Sequence, residues 1–290
     1  MKSRLLQNIS YAISANIISL GISLVLSFFI PKILGVEEYG YWQLYSLIIS
    51  YAGFFHLGMI DGIYLKLGGK EYGEVDEKLY HRVFWLFAGF VGCGAAAALL
   101  SFGLLGLQED TRTVYTGAVA AVCLVLVYTY FDMIMQATNR IRESSRLMIA
   151  FKISYFILVV SAFGAGFRSY KSMITADILS KCVVAGVGVK CCWNIFFGKA
   201  KRRTGRDRVG PALGEITSAI SSGIREMAQD TGTGINLMLA NVAGMLVTGI
   251  TRFFIVGYWD IETFGNISIA MTIANLLFAF MSTLSVVFFP

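Results

Sequence analysis

Seven ionisable residues, Asp61, Asp132, Lys152, Asp177, Lys181, Lys190 and Arg252, interrupt stretches that are otherwise almost wholly apolar. At the centre of a lipid-embedded helix each costs on the order of 2.5–3.5 kcal/mol, so each implies a polar interior, a partner or an exit to the surface. Asp177 and Lys181 stand four residues apart and share a helix face, where they can neutralise each other. Asp132 and Lys152 fall at similar depth in neighbouring antiparallel stretches, which favours a structural ion pair. Lys190 and Asp61 lie near span ends, and Lys190 can extend its amine to the headgroups. Arg252 has no acid nearby along the sequence. Its guanidinium stays charged in any pocket and matches phosphate oxygens in bidentate fashion. It therefore leads the candidates for an anion-binding group, followed by Lys181 and Lys152. Two histidines and five cysteines without a CxxC pair offer no metal or disulfide framework, and no cofactor is expected.

A second pattern places polar side chains by repetition. "ANIISLGISLVLSFFIPKILGVEEYG" (15–40) returns as "ANVAGMLVTGITRFFIVGYWDIETFG" (240–265) at a constant offset of 225 without a gap. Asn16, Ser19, Ser23 and Ser27 recur at spacings of three and four and so share one helix face. Their counterparts are Asn241, Gly244, Thr248 and Arg252. Such stripes suit two first helices lining a wettable cavity between two bundles, with Asn16, Asn241 and Thr248 as substrate-facing groups. They equally suit hydroxyls bonded to their own helix and glycines that let helices approach closely.

The elements that carry these residues are membrane spans. A hydrophobic fraction of 56% against 14% charged, with mean hydropathy +0.67, is what a lipid-solvated chain carries and not a soluble one. Eight apolar runs are long enough to cross a core about 30 Å thick: 12–34, 41–65, 83–107, 114–137, 147–167, 173–197, 234–256 and 264–289. Counted in alternate loops, sixteen Lys and Arg fall on one side, at 2–4, 66–82, 140–146 and 199–225, against four on the other, Lys32, Arg112, Arg168 and Lys171. This bias predicts a cytoplasmic N-terminus and explains the net charge of +6 without nucleic acid.

The expected organisation is all-α and polytopic. Residues 1–198 form a six-helix lobe, 199–231 a basic cytoplasmic linker, and 232–290 the first two helices of a second, parallel repeat. Within the linker, Leu213, Ile216, Ile220, Ile224 and Met227 recur at helical spacing. They predict an amphipathic helix on the inner membrane face or, on the plainer reading, part of a solvated basic linker. Completing the second unit by the repeat would take at least four further helices, so the sequence reads as a C-terminally truncated product.

Four segments, "IPKILGVEEYGYWQLY", "HLGMIDGIYLKLGGKEY", "MQATNRIRES" and "GINLMLANVAGMLVTGITRFFIVGYWDIETFGNISIA", resemble bacterial polysaccharide-biosynthesis membrane proteins. These are the oligosaccharide-lipid flippases related to O-antigen flippases, within the superfamily that also holds multidrug and toxin extruders. The resemblance implies alternating access, not enzymatic turnover. A polyprenyl-pyrophosphate-linked oligosaccharide would enter a cationic cavity at the inner leaflet of the bacterial cytoplasmic membrane and leave outward. Arg252 would take the phosphates, with Lys152 and Lys181 assisting. Proton or sodium coupling would fall to Asp177 among the acids. Membrane lipid, a polysaccharide polymerase and glycosyltransferases are the implied partners. A cation-coupled multidrug antiporter is the competing reading, and an integral-membrane glycosyltransferase or acyltransferase a third. The antiporter favours a cavity dominated by acids, and the enzymes need a larger extramembrane loop domain than the outer loops here supply.

Overall fold

The computed structural model describes residues 2–197 and 213–288; the basic stretch 199–208 lies outside the described residues. Helices follow one another with short connections: α1 (Lys2–Leu34), α2 (Val36–Ser50), a 3₁₀ turn (Ala52–His56), α3 (Met59–Leu67), α4 (Glu77–Leu104), α5 (Glu109–Ala137), α6 (Ile141–Gly164), α7 (Tyr170–Cys191), α8 (Trp193–Phe197), α9 (Leu213–Tyr258) and α10 (Ile261–Phe288). Five stretches, Ile13–Leu34 and the whole of α4, α5, α6 and α7, are each long and apolar enough to cross a membrane. Two bent pairs raise the number to seven, and the eighth expected span is the 28-residue α10. The protein is an all-α, multi-pass membrane protein.

Two expectations about spans change. The second span is not one rod: it breaks by 62° between the 3₁₀ turn and α3. Leu57 and Gly58 stand there at φ 50° and 82°, a conformation that ends a right-handed helix. The amphipathic stretch is not a separate surface helix either. It is the leading part of the 46-residue α9, so the expected boundary at 231 falls inside a continuous helix. No proline interrupts 213–258, and the leading half gains packing against α3 and α4 that a surface helix would lack. Ile220 and Ile224 stay exposed while Met227 packs into the core. α9 bends by 60° between Val247 and Gly249.

Side-chain contacts sort the helix ends into two layers. At one end Glu38 accepts from the Tyr170 backbone N–H (2.6 Å) and from Ser169 Oγ (3.0 Å), placing a carboxylate on the N-terminus of α7, where the helix dipole favours it. Lys171 pairs with Asp110 there at 3.3 Å. At the other end Arg140 donates to the Cys191 carbonyl (3.2 Å), capping α7 with a cation, and lies over the Tyr72 ring. Asp76 caps α4 by accepting from Lys78 and Leu79 N–H at 3.1 Å. Between the layers, Phe84, Phe87, Tyr130 and Phe131 form an aromatic core with Phe196. The buried Tyr130 hydroxyl donates to the Tyr80 carbonyl at 2.8 Å.

The duplicated passage packs against itself. α2 and α10 occupy equivalent places in the two copies, and they meet at their N-terminal ends. A methyl group on Gly40 would strike the Ile261 carbonyl, and one on Gly265 the Val36 carbonyl. Val36 and Ile261 are themselves 225 apart, so the contact is reciprocal, as a pseudo-two-fold axis between the repeats requires. Tyr39 and its counterpart Phe264 are both buried beside this seam, and the Tyr39 hydroxyl meets Thr272 Oγ1 at 3.1 Å.

Candidate functional site

α7 carries Asp177 and Lys181 on the face it turns into the first bundle, and both are buried. They form the ion pair that their spacing predicts. The Tyr45 hydroxyl of α2 also donates to Asp177 Oδ2, at 2.6 Å, so a single carboxylate oxygen receives a cation and a phenol. Lys152 of α6 lies in electrostatic range of both α7 charges. Its Nζ donates to Ser23 Oγ of α1 at 2.9 Å, and the Phe151 ring lies 5.8 Å from it and 5.1 Å from Lys181 Nζ. Two ammonium groups thus face one carboxylate, leaving a surplus positive charge inside the bundle. The Tyr155 hydroxyl, buried and in range of Asp177, has no hydrogen-bond partner among the described residues.

Asp132 does not join this cluster. It accepts from Gln136 Nε2 at 2.8 Å, and among the described residues no ion pair links it to Lys152. The expected pair fails because α1 supplies a hydroxyl to Lys152 and α7 supplies its nearest acid. Depth in the membrane alone did not separate Asp132 from Asp177 as the partner.

Arg252 sits apart, on the last turns of α9, half-buried and in electrostatic range of the hydroxyls of Tyr39 of α2 and of Tyr51, which caps the C-terminus of α2. The structure therefore brings Lys152 and Lys181 together but not with Arg252. Ser23, the mid-point of the first stripe, turns toward α6 of its own bundle, whereas Asn16 and Asn241 are exposed. Thr248 falls at the bend of α9, and its side chain lies outside what is described. Sequence reading missed Tyr45 and Tyr51; an aromatic beside an apolar run looks like packing until its hydroxyl is placed.

A cavity of about 710 Å³ opens between the 3₁₀ turn, α4, α5 and α9. Phe54, Phe90, Ala98, Val122, Leu126 and Phe253 are among its walls, and no charged side chain lines it. Tyr51 belongs to both features: it forms part of the cavity wall, donates to the Met245 carbonyl at 3.2 Å, and lies in range of Arg252. One side chain, Tyr51, thus links a space suited to hydrocarbon with the surroundings of a cation. The chain matches no family model, no curated protein and no solved structure.

Proposed function

We propose that this protein moves a polyprenyl-pyrophosphate-linked oligosaccharide across the bacterial cytoplasmic membrane by alternating access between two bundles. The observation that carries this reading is Tyr51, which walls an apolar cavity and lies in electrostatic range of Arg252. A phosphorylated isoprenoid needs both: hydrocarbon walls for the tail, and a permanent cation for the phosphates. Lys152 supplies a second positive centre deeper in the first bundle, available to acidic sugars. The reciprocal α2–α10 seam supplies a contact between repeats that can open and close. The N-terminus and the basic loops face the cytoplasm on this reading, following the asymmetry of Lys and Arg.

Transport of labelled lipid-linked oligosaccharide into proteoliposomes tests the proposal. Arg252→Ala and Lys152→Ala are each expected to slow it roughly tenfold or more, since each removes a charge-assisted contact worth about 1.5–3 kcal/mol. Arg252→Lys is expected to recover part of the rate. Undiminished transport in both alanine variants rejects the site. Absence of lipid transport together with export of cationic drugs favours the antiporter.

A further inference from the structure

The leading half of α9 is seated on α3 by main chain against main chain. Gly58 and Gly62 of α3 lie so close to Asp230, Gly234 and Ile235 that a methyl group on either glycine, or on Gly234, would strike backbone atoms. Asp230 occupies the centre of this seat with no exposed surface. Its Oδ1 lies 3.4 Å from Lys66 Nζ, and Lys66 also pairs with Glu226, one turn earlier on α9. Its Oδ2 has no hydrogen-bond partner among the described residues.

The surrounding charges do not complete the carboxylate. On α3 there is Lys66, shared between two acids. On α4, Tyr80 lies in electrostatic range, and the buried Arg82 Nε, facing α9 near Gly223, has no hydrogen-bond partner among the described residues. On α5, Tyr130 is in range, but its hydroxyl is committed to the Tyr80 carbonyl. His56 and Asp61, 3.8 Å apart, form a second buried titratable pair near the same seat. Asp177 makes the contrast: both Lys181 and Tyr45 contact its carboxylate.

We propose that Asp230 is a proton-binding residue, and that loss of its proton loosens the seat of α9 on α3. The step moves one proton from the Asp230 carboxyl to water and leaves the carboxylate, with no other bond made or broken. As a carboxylate Asp230 keeps one oxygen without a hydrogen-bond partner among the described residues, in a seat with no exposed surface, and shares Lys66 with Glu226. The charged form therefore gains hydration where α9 lifts from α3, whereas the neutral acid suits the closed seat. The bend at 247–249 lets the rest of α9 follow without unwinding the seated half. Nothing in this step depends on the identity of the transported molecule.

Hydrogen–deuterium exchange of the full chain in lipid nanodiscs tests it, comparing residues 58–67 and 223–235 with α7 as internal reference. After correction for intrinsic rates, protection of both segments is expected to rise roughly tenfold as pH falls from about 8 to about 5. Asp230→Asn is expected to exchange at both pH values as the wild type does at the lower one. Lys66→Gln, which removes the cation that holds the charged form, is expected to move the midpoint upward. His56→Gln is expected to leave the transition in place. A flat wild-type profile, a midpoint unmoved by Lys66→Gln, the same transition in Asp230→Asn, or its loss in His56→Gln each overturns the proposal. If the Asn variant does not fold, the wild-type and Lys66→Gln profiles decide alone.

Discussion

Gly265 stands against Gly40, 225 residues earlier, so closely that a Cβ on Gly265 would lie 3.2 Å from the Gly40 nitrogen. The two glycines are the same residue of the repeated passage, and their contact joins the two copies.

Enlarging either glycine should part the α2–α10 seam. Gly40→Ala and Gly265→Ala each force a methyl group into a carbonyl oxygen, and overpacking of this kind costs about 1–3 kcal/mol. The double variant should cost less than the two single effects together, because one separation relieves both clashes. Thermal unfolding in detergent checks this, and unchanged midpoints in both single variants refute the seam.

The Asp177–Lys181 pair should be far more sensitive to removal of one partner than of both. Asp177→Asn or Lys181→Met strands a buried charge, at about 3–5 kcal/mol, whereas the double replacement by apolar residues should recover much of the loss. Tyr45→Phe deletes one charge-assisted hydrogen bond and should cost about 1.5–3 kcal/mol. A double-mutant cycle on stability, with Tyr45→Phe as the third arm, measures both effects.

Removing Lys152 should separate stability from transport. Its direct hydrogen-bond partner is the neutral Ser23, so Lys152→Met leaves no acid newly stranded beyond the already paired Asp177. The unfolding midpoint is expected to stay close to the wild type while transport falls. A large drop in the midpoint would instead make Lys152 a structural cation.

Acid should fray the start of α10 before α2. The Asp260 carboxylate is held below its ordinary value by hydrogen bonding with Thr263, whose N–H it accepts at 2.9 Å. A depressed folded-state value means that the cap is in place above the ordinary carboxylate range and is lost as pH falls through the folded value. Its counterpart in the first copy is Gly35, at φ 81°, which closes the same corner with no titrating group. Amide exchange at 261–265 should therefore accelerate on acidification below about pH 4, and Asp260→Asn should remove the dependence.

The spans were legible because about twenty apolar residues leave few alternatives in a bilayer, and the repeat was legible because its spacing had not drifted. Asp177 with Lys181 followed from helical period alone. The Asp132–Lys152 pairing did not hold, since several helices can bring a charge to one depth and only packing selects the neighbour. Asp230 was overlooked for a related reason. It lies just before the seventh apolar run, where an acid looks solvated, and its burial comes from the glycines of α3, 168 or more residues earlier. The 62° break at Leu57 and Gly58 was hidden because apolar composition continues across it.

The α2–α10 strip has a mechanical corollary. Apart from the Tyr39–Thr272 hydroxyl contact, its close points are α-carbons resting on carbonyl oxygens, and such contacts are individually weak. Phe264 beside them is keyed into the core cluster of Leu44, Tyr45 and Val114, so one bulky side chain of the second copy is anchored in the first bundle. Any shift between the two copies would therefore have to withdraw that one ring, which makes Phe264 the latch of an otherwise lightly held strip.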